Sequence, residues 1–381
     1  MIKGEFPLDL FQSKVTPFYF YDTVLLRKTL DSVKQAIADR PDWRVHYSIK
    51  ANFNPEILKI IAEAGFGADC VSGGEVKAAI TAGFLPSSLV FAGVGKRDEE
   101  IALGLNVGIG RFNVESVAEL QVINEIAGDI GKKASVSFRV NPDVGAHTHA
   151  NITTGLAENK FGIHHSQIQA VICLALSLPN IEFKGLHFHI GSQILEMSDF
   201  VALCNRINTC IEELDNAGIQ VEDINVGGGL GIQYEHPNHL PVADFNSYFD
   251  VFKRHLNTKR TVHFELGRSL VASCGTLISR VLYVKEGLYK QFAILDASMT
   301  ELIRPALYNA YHRIENISSD GPEEKYDVVG PVCESSDVFG KGILLNNCQR
   351  GDIIAIRSAG AYGESMASQY NCRPLPYSLI R

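Results

Sequence analysis

VHYSIKANFNPEILKIIAEAGFGADCVSGGEVKAAITAG, residues 45–83, carries the pattern that decides the fold. Its first run, VHYSIK (45–50), reads as an apolar strand, and at Asn54-Pro55 the spacing becomes helical. Asparagine caps a helix by accepting an early backbone N–H, and proline suits the first helical position, where no N–H is needed. Gly65 ends that helix, GADCVS (67–72) reads as a second strand, and GGEVKAAITAG as a second helix closing on Gly83. The same unit recurs outward from this stretch. Further apolar runs are LVFAGV (89–94), RFNV (111–114), SVSFRV (135–140), GLHFHIGS (185–192), INVGGG (224–229) and VHFELG (262–267). Between RFNV and SVSFRV, Val117, Leu120, Ile123 and Ile126 fall at helical spacing before Gly128. Eight strands alternating with helices suggest an α/β fold of the (β/α)8 TIM-like barrel type. Periodicity alone leaves a doubly wound sheet open, and the count of eight favours the barrel.

After about residue 268 the rhythm changes: TLISRVLYVK, QFAILDAS, YDVVG, KGILL and GDIIAIRSAG are short strands separated by turn residues. This predicts a barrel over 15–268 and a β-rich C-terminal domain over 269–381, with residues 1–14 joining the latter. A chain of 381 residues is long enough for two cores. The 35 basic and 43 acidic side chains leave a formal charge of −8, with no basic footprint for nucleic acid. No apolar run approaches the ~20 residues of a membrane span. The start, MIKGEFPLDLFQSK, has charges and a proline where a signal peptide needs an apolar core, so a cytoplasmic location is expected. The eight cysteines form no C-x-x-C pair and read as reduced and mostly structural.

Barrels of this kind assemble their chemistry from strand C-termini and the loops after them. Those positions hold Lys50, Asp69 with Ser72, Arg139, His189 with Ser192, Gly227, Gly228 and Gly229, and Glu265 with Gly267 and Arg268. The glycine run lets backbone amides approach an anion, and with Arg268 it falls where barrels often bind phosphate. It is no dinucleotide fingerprint, since Ile232 stands where the last glycine is needed. A lysine at the end of an apolar strand either pairs with a carboxylate or does Schiff-base chemistry. Lysine, anion cradle and carboxylate on separate strands together point to pyridoxal 5'-phosphate.

At this point the residues match a known family. HYSIKAN (46–52), GADCVSGGE (67–75), FAGVGK (91–96), HFHIGSQI (187–194), NVGGGLGI (225–232), ELGRS (265–269), IRPALYNAYH (303–312), VVGPVCESSDV (328–338) and GAYGESMASQYNCRP (360–374) stand in order along nearly the whole chain. They resemble the fold-type III pyridoxal-phosphate decarboxylases, and within them the branch acting on diaminopimelate. One departure is Leu266, where the family more often has proline. The resemblance implies that Lys50 carries the cofactor as a Schiff base and that His189 stacks on its ring. Asp69, Arg139, Ser192, the glycines, Gly267 and Arg268 would line the cofactor site, with Glu265 facing the pyridine nitrogen. A carboxylate there keeps that nitrogen protonated and makes the ring a strong electron sink, which favours decarboxylation. Cys333 matches the family's proton donor, contributed by the neighbouring subunit, and Tyr362 completes the site, so a homodimer is expected.

Diaminopimelate carries a second carboxylate and ammonium at its far end. Arg304, Tyr308 and Glu334, with Arg268 and Tyr362, match the family's substrate residues, and arginine's fork suits a carboxylate. The expected reaction is meso-2,6-diaminopimelate to L-lysine and CO2, the last step of lysine synthesis. Carboxynorspermidine decarboxylase or another basic amino-acid decarboxylase of the same fold is the alternative, which IRPALY (303–308) disfavours. The long connection 141–163 holds His147 and His149, too few for a metal site, so no metal is expected and a loop over the active site is. A non-catalytic cofactor carrier would need no Cys333-Glu334 pair, and a Schiff-base aldolase would need no Glu265 opposite a pyridine.

Overall fold

The structure, a computed structural model, describes residues 4–142 and 160–381. His147, His149 and most of the connection read as a loop over the active site lie outside the described residues. In chain order the strands are β1 (Phe18–Tyr21), β2 (Trp43–Ser48), β3 (Gly67–Cys70), β4 (Leu89–Phe91), β5 (Arg111–Val114), β6 (Ala134–Asn141), β7 (Ile163–His164), β8 (Ile181–His187) and β9 (Asp223–Asn225). There follow β10 (Thr261–Leu266), β11 (Gly275–Glu286), β12 (Gln291–Leu295), β13 (Ile314–Asn316), β14 (Glu323–Val329), β15 (Val338–Asn346), β16 (Ile353–Ile356) and β17 (Tyr377–Ile380). The chain divides into two compact units: Leu30–Gly231 with Asp244–Gly267, and Met1–Thr29 with Ile232–Ala243 and Arg268–Arg381.

In the first unit, among the described residues, β2, β3, β4, β5, β6, β8, β9 and β10 pair in that order, and β10 pairs back onto β2. All of these pairings are parallel, so the unit is a closed eight-stranded barrel, and the doubly wound alternative is excluded. Helices start where capping chemistry places them. Asn54 accepts the Glu56 N–H ahead of helix Pro55–Glu63, and Ser72 accepts the Glu75 N–H ahead of helix Gly73–Ala82, which ends at Gly83 with φ +95°. Ser72 is therefore a helix cap.

Alternation along β10 sorts its side chains. Phe264 packs against Trp43 and against Tyr248, Phe249 and Phe252 of helix Phe245–His255. His263 and Glu265 share the opposite face, where the partners are polar. His46 of β2 meets His263 at 2.8 Å, and Arg111 of β5 bonds Ser137 of β6 and Asp223 of β9. Barrel interiors are commonly filled by branched apolar residues; here hydrogen-bonded polar side chains take that place.

The second unit is a sheet in the order β13-β16-β11-β12-β14-β15, with β1 pairing both β11 and β17. Its core gathers Phe11, Phe18, Phe20, Ile278, Ile353 and Ala355. The pairing of β1 puts residues 15–29 with this sheet, and residues 232–243 also fall in its unit. The observed division thus departs from the expected 15–268. The reason is physical: FYFY is an apolar strand that either unit could bury, and only its pairing partners assign it.

The His46–His263 pair has a pH consequence. The Ser88 carbonyl can only accept, so His46 Nδ1 carries the proton and His46 Nε2 accepts from His263 Nδ1–H. Burial, the largest influence, pushes both imidazoles below their ordinary pKa, His263 to about 2. The unfolded chain takes up these protons below about pH 6.5 while the folded chain does not, so stability falls as pH drops through that value. Unfolding free energies from urea titrations should decline between pH 7 and pH 5, by up to about 1.4 kcal/mol per pH unit for each imidazole. His263→Asn should flatten the slope, and an unchanged slope would assign the decline to other groups.

Candidate active site

Strand pairing ends earlier than the apolar runs. β2 stops at Ser48, so Lys50 sits in the single turn Ile49–Ala51 just beyond it. β8 stops at His187 and β9 at Asn225, which leaves His189, Ser192 and the glycines in the following loops. The chain turns there because Asn225 Oδ1 captures the Gly227 N–H at 2.9 Å while Gly227 adopts φ +72°.

Lys50 is partly exposed, and its Nζ lies 3.6 Å from Oδ2 of the buried Asp69, which also accepts from Ser48 Oγ at 2.8 Å. Asp69 Oδ1 is buried with no hydrogen-bond partner among the described residues. Burial, then the nearby Glu265 charge, raises the Asp69 pKa against the opposing pull of Lys50. Glu75 joins this group electrostatically and is pushed up to about 7, chiefly by burial and further by Asp69.

Glu265 is held by three side chains of the barrel unit. Oε1 accepts from Asn113 Nδ2 at 3.1 Å and Asn225 Nδ2 at 2.7 Å, and Oε2 faces His187 Nε2 at 3.0 Å. Burial works against its charge, but His187 and then Lys50 outweigh it and hold the carboxyl well below the usual range. Two donors fill Oε1 and one occupies Oε2, leaving Oε2 room for one more. A protonated ring nitrogen is such a donor, so the carboxylate suits a pyridoxal cofactor. Asn113, His187 and Asn225 were not singled out in the sequence; their positions at strand ends were the available signal.

His189 Nδ1 accepts the Gly228 N–H at 3.3 Å, so this imidazole is neutral with its proton on Nε2. Burial, then the charges of Arg139 and Lys50, keeps its pKa well below the ordinary value. A Cβ on Gly228 would lie 1.8 Å from the Glu265 carbonyl oxygen, and one on Gly227 would lie 2.3 Å from the Phe188 carbonyl oxygen. Close backbone packing thus requires these glycines whatever they bind. A Cβ on Gly267 would come within 3.2 Å of both Ser48 and Ala51. Arg139 is buried, paired with Glu115 at 3.0 Å, and lies over the Phe161 ring.

The remaining residues singled out belong to the sheet unit. Arg268 and Arg304 are both buried, and each donates from Nη1 to the hydroxyl of Tyr234, at 2.8 and 3.0 Å. The Arg268 guanidinium lies over the Tyr362 ring, and Tyr308 ends the short helix Arg304–Tyr308. Cys333 is exposed, and its neighbour Glu334 accepts a 2.6 Å hydrogen bond from Tyr370. Asp337 ties down the loop by accepting from the Val332 and Met299 amides. Tyr234 and His312, which hold Arg304, were also missed in the sequence; an aromatic and a histidine in loops leave no periodic signal.

Residues 25–272 match the pyridoxal-binding domain of the pyridoxal-dependent decarboxylases. The chain is 63% identical over 377 residues to diaminopimelate decarboxylase of Bacteroides thetaiotaomicron, covering 98% of both chains. The chain belongs to the diaminopimelate decarboxylase family. A relative from Aquifex aeolicus with the same name is 40% identical over 98% of this chain and 88% of its own. The crystal structure of diaminopimelate decarboxylase from Helicobacter pylori complexed with L-lysine superposes with TM-score 0.92 at 41% identity, over 98% of this chain and 93% of that one. This family member is a pyridoxal-phosphate-dependent decarboxylase, and its barrel unit carries the Lys50–Asp69 ion pair and the ionised Glu265 described above.

Replacing Glu265 with glutamine keeps the size and removes the charge. Holoenzyme of Glu265→Gln should retain cofactor yet release CO2 about 100-fold more slowly or worse. Cofactor content and rate measured on the same sample check this, and a rate near that of the parent would remove Glu265 from its role.

Proposed function

We propose that the chain removes one carboxylate of meso-2,6-diaminopimelate to give L-lysine and CO2, the last step of lysine synthesis, as a cytoplasmic homodimer. The observation that carries the substrate is Arg304. It is buried, it forms no ion pair among the described residues, and its hydrogen bonds go to two neutral acceptors, Tyr234 and His312. A buried guanidinium lacking an acidic neighbour is poised for an anion brought by the substrate. Ornithine, arginine and polyamine substrates carry a cation at the far end, which such a group repels. Relatives named for diaminopimelate and solved with L-lysine support the same reading.

Lys50 would hold pyridoxal phosphate through its amine, and neutral His189 would lie beside it. Asp69, Arg139, Ser192, Gly227, Gly228, Gly229 and Gly267 line the cofactor's surroundings. Glu265, kept ionised by His187, would favour the protonated form of the cofactor's ring nitrogen. When bound, the cofactor supplies the sink for the electron pair left on Cα as CO2 departs. Arg268 and Arg304, with Tyr308, Glu334 and Tyr362, orient the far amino-acid group, the carboxylate on the arginines and the ammonium on Glu334. Cys333 of the partner subunit returns a proton from Sγ to Cα. None of the eight cysteines is disulfide-bonded, in keeping with a reducing compartment. No described helix is long and apolar enough to cross a membrane.

Three experiments test the reading. CO2 release is compared for meso-diaminopimelate, ornithine, arginine and carboxynorspermidine; release from diaminopimelate alone is expected, and preference for another compound would overturn the role of Arg304. In the same preparation, borohydride reduction should leave the pyridoxyl mass on the peptide carrying Lys50 and none in Lys50→Ala. Subunit sharing is tested by mixing the inactive variants Lys50→Ala and Cys333→Ala under conditions that exchange subunits. Random pairing restores one intact site per mixed dimer, about a quarter of parental activity; no recovery despite exchange would place Cys333 and Lys50 of one site on the same chain.

A further inference from the structure

We propose that Tyr234 is a positioning residue whose phenolic oxygen ties Arg268 and Arg304 into one cationic clamp for a carboxylate. This rests on the reading that these arginines receive the substrate's far carboxylate. Two buried guanidinium groups near one another repel, and left to themselves would separate. Here Nη1 of Arg268 and Nη1 of Arg304 both donate to the single Tyr234 oxygen, at 2.8 and 3.0 Å. The Arg304 guanidinium also lies over the Tyr234 ring, 5.1 Å from its centroid, a cation–π contact that fixes its plane.

The nature of the acceptors matters as much as their positions. An aspartate or glutamate could hold both arginines, but its charge would neutralise one of them. A phenol oxygen accepts from both without adding a negative charge. His312 supplies the second neutral acceptor. Its Nδ1 donates to the Arg357 carbonyl at 2.9 Å, so its Nε2 is left to accept from Arg304 Nη1 at 2.8 Å. Burial, then the Arg304 charge, pushes the His312 pKa down to about 3, so it adds no third cation. The two arginines overcome the effect of burial on Tyr234 and lower its pKa, a sign of how strongly they act on that oxygen. Nη1 of Arg304 is fully engaged by these acceptors, while its Nε and Nη2 hydrogens meet no acceptor among the described residues. That free edge is the fork that binds a carboxylate through two parallel hydrogen bonds.

The test compares Tyr234→Phe with Arg304→Ala in holoenzyme, using L-lysine binding by calorimetry beside steady-state kinetics. L-Lysine keeps the carboxylate that the reaction spares; cadaverine, which has none, is the control ligand. In Tyr234→Phe the lysine Kd and the diaminopimelate KM should rise about tenfold, with kcat reduced less than about threefold and cadaverine inhibition unmoved. A Kd within about twofold of the parent in Tyr234→Phe, beside a large loss in Arg304→Ala, would sink the role of Tyr234 and leave the carboxylate site standing. No loss in Arg304→Ala would overturn the carboxylate site and the proposal with it. If Tyr234→Phe fails to fold, Tyr234→Gln decides: its amide oxygen accepts in place of the phenol, so lysine binding within about threefold of the parent supports the proposal and a larger loss overturns it.

Discussion

An ionised carboxylate inside a barrel must be met by donors, because leaving a buried charge uncompensated costs several kcal/mol. Glu265 is that carboxylate, and its donors come from three other strands: Asn113 on β5, His187 on β8 and Asn225 on β9. Each contact requires its strand to be in register with β10, since a slip of one residue turns a side chain to the outer face. The same arrangement that satisfies Glu265 therefore aligns the strands whose following turns present Lys50, His189 and the glycines. Fold and chemistry share one constraint.

Polar side chains elsewhere in the barrel follow the same logic. The His46–His263 pair and the Arg111–Asp223 contact each satisfy groups that an apolar interior would strand. Burial fixes protonation as well as position. It holds His46, His263 and His189 neutral, while specific partners keep Glu265 charged against the same burial. In the sheet unit the charge differs in sign but the principle is the same: Arg304 stays buried because the neutral acceptors Tyr234 and His312 hold it without cancelling its charge.

Several features are legible in the sequence alone. Strand–helix alternation gave the barrel, and the cap residues Asn54 and Gly83 sit where local chemistry demands. The nine ordered motifs pointed to the family, and identity of 63% with a named relative agrees. Strand ends were read too far along the chain, because apolar character continues into the turns after β2, β8 and β9 while backbone pairing does not. Ser72 stands at a strand end like the site residues and is a helix cap. The unit boundary moved as well, since FYFY at 18–21 pairs with β11 and β17.

What the sequence determined by itself were the properties carried by near neighbours: helix starts and stops, the alternation of strand and helix, and the residue types at the ends of strands. These depend on interactions spanning a few residues, so they survive in a linear pattern. Only the tertiary structure decided which groups meet across the chain: Glu265 with Asn113 and His187, Tyr234 with both arginines, β1 with the sheet. Such contacts join residues tens to hundreds of positions apart. Their hydrogen bonds, charges and tautomers follow from burial and distance, and neither exists until the chain has folded.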